Sequence, residues 1–364
     1  MPETLENGYR LAPDNGSICP PGSVVLTEDD AQELCLAICG HLKMSAEDAA
    51  VVTSHLVDAE LRGTVGLSRL LALVNDARLY GLEPTGVITT IREGSWGALV
   101  DGGNRSGIVV AEHATQLAIA KARAGGIAAV AANNHRFSGL LSYYVEACAR
   151  AGLVALAVAA GGVRKGLPRV APYAAAVGRF TTNPIAFGFP TVGDPIVWDI
   201  ATSASSGAEL LERLATGVPL RDGTAIDSAG KPTVDAHKAL DGALLTWGGH
   251  RGSGLAISVH LLAMLAGLPP FPTDTDGASF LIIALDPSVL GDLETFKEQA
   301  TAVADRIRAT PPAEGHAEVR MPYDRSLRER SRKRRDGVEL SSAIHERLMA
   351  VARDGIHAGE RTAR

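Results

Sequence analysis

The chain has 364 residues, enough to bury a large core and to form two or more lobes. Apolar residues make up 46% and charged residues 21%, a globular, water-compatible composition, and the net charge of -6 argues against a general nucleic-acid binder. Aromatic residues reach only 4% beside 39 glycines, so the interior is expected to pack by close backbone approach with few large rings.

Residues 1–24, rich in Pro, Gly and Asn, read as an irregular leader without the basic-then-apolar pattern of a secretory signal. Thr27 opens a helix with acids in its first turn, and Ser45 is the N-cap of a second that runs to Leu61. A third helix is predicted over 68–80, ended by Gly81. From Gly86 the pattern changes. Strands are predicted at 87–91 and 96–100, a long Ala-rich helix at 111–124, and apolar runs at 127–132, 153–160 and 184–189 with a helix over 140–151 between them. Residues 217–236 read as polar turns, 253–266 as a helix and 279–285 as a strand. The basic run at 325–335 reads as a solvated helix face interleaved with Glu329 and Asp336.

Cys19, Cys35, Cys39 and Cys148 show no zinc or redox spacing. Cys35 and Cys39 lie one helical turn apart and read as buried thiols in a reduced, cytoplasmic setting. No apolar run approaches the roughly 18 residues that span a bilayer. A Gly-x-Gly-x-x-Gly between strand and helix, a Walker A loop, a His-Glu-x-x-His and a Gly-x-Ser-x-Gly are all absent, and the scattered histidines imply no metal site.

Five segments in order carry a resemblance: Asp58-Ala59-Glu60-Leu61-Arg62-Gly63, Thr182-Asn183-Pro184-Ile185-Ala186-Phe187, Asp199-Ile200-Ala201-Thr202-Ser203, Gly248-Gly249-His250-Arg251-Gly252 and Val319-Arg320-Met321-Pro322-Tyr323-Asp324-Arg325. Together they resemble the type 2 malate/L-lactate dehydrogenases, a non-Rossmann group whose members include dehydrogenases of sulfolactate and ureidoglycolate and reductases of cyclic imino acids. The resemblance implies NAD or NADP as cofactor, a small carboxylate-bearing substrate and a homodimer. It also implies a mixed α/β fold, with a helical lobe from both chain ends (25–80 and 255–360) packed on a middle cofactor-binding lobe (86–250).

The residues of these segments suit a dinucleotide. Asp199 is an acceptor for a ribose or a nearby backbone N–H, and the small Ala201, Thr202 and Ser203 beside Ile200 let backbone approach a pyrophosphate. Thr182 and Asn183 offer short polar groups before a proline, and His250 and Arg251 bring positive charge to phosphates. Asp324 stands where the family has an acidic residue, but Tyr323 replaces a glycine before it.

The reaction centre departs from the pattern. Where the family reads Arg-Gly-x-x-Ser-His-Gly-x-x-Arg-Leu, this chain reads Arg62-Gly63-Thr64-Val65-Gly66-Leu67-Ser68-Arg69-Leu70, as if Ser-His were cut out. The family's Asn-Ser-x-His-Phe is Asn133-Asn134-His135-Arg136-Phe137, with the histidine one place early and Arg136 in its position. Arg69 remains as a carboxylate clamp, His135 or a water as proton source, and Arg136 as a fixed positive charge for an anionic substrate or oxyanion. The reading is an NAD(P)H-dependent reductase of a small 2-oxo or cyclic 2-imino carboxylate. The alternatives are a redox-neutral enzyme on the same scaffold (elimination, cyclisation or isomerisation) and a catalytically inactive binding homologue.

Overall fold

The computed structural model describes residues 10–11, 18–19, 22–81, 85–162, 169–273 and 277–357. Most of the expected irregular leader, and the Cys19 side chain, lie outside these residues. The chain divides into two compact units, 1–85 with 322–364, and 86–321.

In the first unit, the helix Glu28–His41 starts at Thr27, whose hydroxyl accepts from Asp30 N at 3.1 Å while the Asp30 carboxylate accepts from Thr27 N at 3.2 Å. Ser45 caps the helix Ala46–Leu61, and the helix Arg69–Tyr80 ends at the left-handed Gly81. Cys35 and Cys39 are fully buried on one helix face, and burial pushes the Cys39 thiol up to about 12. The chain returns as the helix Asp324–Asp336, the strand Val338–Ser341, which pairs antiparallel with Ser23–Leu26, and the helix Ser342–Asp354.

The basic run lies on the helix Asp324–Asp336 and is spent inside this unit. Arg330 pairs with Asp58 at 3.0 Å, Lys333 with Glu60 at 3.7 Å, and Arg332 with Glu329 and Glu339 at 3.0 and 3.1 Å.

The second unit is built on a seven-stranded sheet among the described residues. Its order is Ile196–Ile200, Ile185–Phe189, Val154–Gly161, Ala278–Leu285, Ile127–His135, Gly97–Arg105 and Thr89–Gly94. Only Gly97–Arg105 and Ile127–His135 run parallel, joined by the helix Gly107–Gly125; the other pairs are antiparallel. This mixed sheet differs from a doubly wound Rossmann sheet, in keeping with the missing glycine fingerprint. Its buried strand residues mix small side chains such as Ala128, Ala132 and Ala157 with larger ones such as Val130, Leu281 and Ile282, and Tyr144 and Phe280 meet edge-on at 5.3 Å.

Residues 255–321, expected in the helical lobe, belong to this second unit. The reason is Ala278–Leu285, an inner strand hydrogen-bonded on both edges to strands of the sheet. A small sheet of Ala225–Ile226, Ala243–Leu245 and Val170–Ala171 completes the unit, so the expected polar turns at 217–236 include a short strand.

Candidate functional site

In the second unit, three of the singled-out segments converge. Thr202 donates its backbone N–H and its hydroxyl to the Thr182 carbonyl, both at 2.9 Å. Trp247 closes the other side: its N–H reaches the Thr202 carbonyl at 3.2 Å and its indole Nε1 donates to the Ala201 carbonyl at 2.8 Å. The segments around 182, 201–204 and 245–249 are thereby tied into one wall.

Two hollows open on this wall. One, of ≈ 460 Å³, is lined by Trp198, Ile200, Ser203, Ser205, Ser206 and Glu209 among others. The second, of ≈ 620 Å³, includes Tyr173, Arg221, Gly248 and Gly249 in its lining. Ala204 and Trp247 line both. At Gly248 and Gly249 the backbone takes φ of 60° at each, a conformation that L side chains rarely adopt. The turn they make delivers the helix His250–Met264, whose first turn has no side-chain cap.

The candidate cofactor residues differ in what the fold leaves them to do. The side chains of Asn183 and Thr202 are spent on structure. Asn183 Nδ2 donates to the Ala256 carbonyl at 3.1 Å and its Oδ1 accepts from Thr181 at 2.8 Å, which holds its backbone at φ 39°. Asp199 accepts the Ser142 N–H at 2.8 Å and so anchors the first turn of the helix Leu141–Arg150. Ser203 differs: it is 93% buried by its 7% exposure, it lines the smaller hollow, and its hydroxyl oxygen has no hydrogen-bond partner among the described residues. His250 and Arg251 are exposed, and neither side chain makes a hydrogen bond or ion pair among the described residues; the His250 ring lies edge-on to Tyr173 at 5.9 Å. Asp324 is the first residue of the helix Asp324–Asp336, in the first unit.

These features fit a dinucleotide. An orphaned buried hydroxyl needs a polar partner. An uncapped helix N-terminus beside two unpaired basic side chains suits a diphosphate, and Trp247 gives an apolar wall between the hollows.

The reaction-centre candidates sit less simply. His135 ends its strand fully buried, with Nδ1 2.8 Å from the Arg136 carbonyl; a carbonyl only accepts, so Nδ1 carries the hydrogen. Burial holds this imidazole down at about 4, against the pull of the Arg136 and Ala132 carbonyls. The one-residue displacement has placed the imidazole in the interior, where it is neutral at physiological pH, while Arg136 is half-buried. Arg69, in the first unit, is half-buried at the start of its helix, and burial lowers its guanidinium pKa.

The shortened segment before Arg69 is gripped by a residue whose role the sequence reading missed. Glu60 Oε2 accepts the N–H groups of Gly66 at 3.0 Å and Leu67 at 2.9 Å, and Lys333 donates to the Glu60 carbonyl at 2.9 Å. Gly66 lies so close to the preceding helix that a Cβ there would meet the Leu56 carbonyl oxygen at 2.2 Å. Tyr323, at φ 79°, stands between Arg62 and Arg330, with its ring centroid 5.2 and 5.7 Å from their guanidinium carbons. Glu209, Ser205 and Trp247 were also missed. For Glu209 a signal existed, since Ser206 and Glu209 have the spacing of a helix N-cap.

The profile of the malate/L-lactate dehydrogenases matches residues 26–349. An L-sulfolactate dehydrogenase of Methanocaldococcus jannaschii is 28% identical over 91% of this chain and 97% of its own. A Delta(1)-pyrroline-2-carboxylate/Delta(1)-piperideine-2-carboxylate reductase of Pseudomonas aeruginosa is 40% identical over 64% of this chain and 70% of its own. The crystal structure of a delta1-piperideine-2-carboxylate reductase from Pseudomonas syringae pathovar tomato superposes with a TM-score of 0.77 at 29% identity, covering 89% of this chain and 98% of that one. With its profile match, its relatives and its mixed sheet in agreement, the chain belongs to the malate/L-lactate dehydrogenase family of oxidoreductases.

Proposed function

We propose that the chain is an NAD(P)H-dependent reductase of a small carboxylate, with a cyclic 2-imine as its preferred substrate and 2-oxo acids as poor ones. The observation that carries the cofactor half is the set of side chains around Trp247 that make no hydrogen bond or ion pair among the described residues: the buried Ser203 hydroxyl, on a residue that lines one hollow, and the exposed His250 and Arg251 at an uncapped helix start beside the other. A nicotinamide dinucleotide bound there supplies hydride. The diphosphate is held by the His250 and Arg251 side chains and the amides of that helix turn.

The substrate half rests on the proton inventory. Arg136, half-buried in the second unit, adds fixed positive charge for an anionic substrate, and Arg69, in the first unit, is the other cationic candidate for its carboxylate. The family's Ser-His pair is missing, and His135 at about 4 holds no spare proton near neutrality. A ketone needs a proton on oxygen as hydride arrives; a cyclic imine enters already protonated on nitrogen and needs none. Related reductases carry cyclic imino carboxylates in their names, which agrees with this choice.

The test is nicotinamide absorbance during turnover of Δ1-pyrroline-2-carboxylate and of pyruvate. The imine is expected to react with a kcat/KM roughly a hundredfold higher or more, the usual worth of a general acid. Comparable values for the two substrates would refute the proton argument. Product formed with no change in nicotinamide would point to redox-neutral chemistry instead.

A further inference from the structure

The smaller hollow has a chemical character of its own. Its polar lining is three serines and one carboxylate: Ser203, Ser205, Ser206 and Glu209. The Ser206 hydroxyl caps the helix Gly207–Thr216 through Glu209 N at 3.0 Å, so it is committed. The Ser205 hydroxyl, on a residue 3% exposed, donates to Glu209 Oε2 at 2.9 Å and fixes that carboxylate. Glu209 Oε1 stands 3.9 Å from Arg213 and 3.7 Å from Arg221, which balance its charge without closing on it. Neither arginine lines this hollow, so Glu209 is the charged group that does. Ser203 adds the orphaned hydroxyl.

We propose that this hollow takes the ribose diol of an unphosphorylated nicotinamide dinucleotide, and that Glu209 makes the protein select NAD(H) over NADP(H). The proposal rests on the cofactor reading above and adds the choice between the two cofactors. A vicinal diol donates two hydrogen bonds, which a carboxylate accepts together, while the Ser203 hydroxyl satisfies its own need on the same sugar. A 2′-phosphate removes one of those donors and sets a second anion against the carboxylate, so discrimination comes from repulsion as well as from lost hydrogen bonds. Arg221, at 66% side-chain exposure, keeps its Nε 3.7 Å from Glu209 Oε1 while its Nη2 donates to the Ala204 carbonyl at 2.8 Å.

The experiment titrates the purified, cofactor-free full chain with NADH and with NADPH, reading nicotinamide fluorescence and calorimetric heat, for wild type, Glu209→Gln and Glu209→Ala. Wild type is expected to bind NADH at least about tenfold tighter than NADPH. Glu209→Gln, which keeps the volume and an acceptor for Ser205, is expected to bring the two affinities within about threefold, mainly by gaining NADPH. Glu209→Ala is expected to narrow the gap in the same direction. Circular dichroism of each variant confirms the fold, and the wild-type ratio tests the proposal without any variant. Equal or tighter binding of NADPH by wild type, or a ratio unmoved in both folded variants, overturns the role of Glu209 and leaves the cofactor reading standing. Saturable binding of neither dinucleotide by wild type overturns both.

Discussion

A buried hydroxyl with no partner costs about 1–3 kcal/mol relative to a satisfied one, and Ser203 carries that cost in the cofactor-free protein. Ser203→Ala is therefore expected to act with opposite signs on stability and binding. Without cofactor, the variant should unfold at higher denaturant, by about 1 kcal/mol. Its NADH affinity should fall several-fold, so added NADH should protect it less than wild type in a thermal melt. A variant that is less stable without cofactor, or that binds NADH as wild type does, would show that Ser203 is structural. The motif Asp199-Ile200-Ala201-Thr202-Ser203 was visible in the sequence as a unit, but its division of labour was not. Asp199 is spent on Ser142, 57 residues away, and Asn183 on Ala256, 73 residues away. Those long-range partners decide which polar group is left for a ligand, and spacing along the chain does not encode them. His135 shows the same limit. The displaced motif was legible, but the burial that makes the ring neutral comes from neighbouring strands that include Ala278–Leu285.

Between the helices Ala46–Leu61 and Arg69–Tyr80, the shortened connection is held by one carboxylate and one missing Cβ. Gly66→Ala would drive a methyl into the Leu56 carbonyl, 2.2 Å away, and into Glu60 N at 2.6 Å, backbone atoms that cannot swing aside. The expected loss is about 3 kcal/mol or more, at the upper end for overpacking. Glu60→Gln keeps the shape but weakens two amide hydrogen bonds and leaves Lys333, 7% exposed, without its counter-charge, at a cost of roughly 3 kcal/mol. Urea unfolding checks both; variants within about half a kcal/mol of wild type would mean that the turn is not the constraint. Elements with local signals were legible in the sequence. The caps at Thr27 and Ser45, and the apolar runs that became Ile127–His135, Val154–Gly161 and Ala278–Leu285, needed no tertiary information. The helices Gly207–Thr216 and Leu293–Arg308 carry capping signals too, Ser206 to Glu209 and Asp292 to Thr295, though the expected elements do not include them. The placement of 255–321 was different in kind. A strand's membership of a sheet depends on partners more than a hundred residues away, such as Val154–Gly161 and Ile127–His135.

Each of the two units contains a histidine that the fold keeps neutral, and each such histidine makes its unit less stable in acid. In the unit 1–85 with 322–364, burial and the nearby Arg62 charge hold His55 down at about 3. In the unit 86–321, burial chiefly, with a smaller push from Arg136, holds His135 at about 4. In the unfolded chain both rings return to about 6.5. Above that pH neither state binds the extra proton and the two histidines contribute nothing to pH dependence. Below it the unfolded chain takes up protons that the folded chain refuses, so unfolding free energy falls as pH falls. Because both folded values lie below 5, the loss at pH 5 depends only on the distance from the unfolded value, about 2 kcal/mol per histidine. The loss keeps growing until the pH reaches the folded values. The interval from pH 7 to 5 is the clean one, since ordinary carboxylates titrate mostly below it. Equilibrium unfolding at pH 7 and pH 5 should show lower stability at pH 5. His135→Gln should remove about one proton's worth of that slope from the sheet-containing unit, while leaving the His55 contribution in place. Stability that is flat or rising toward pH 5 would mean that the two imidazoles are not held neutral. In that case His135 would again be available as the proton donor that the reductase reading leaves out.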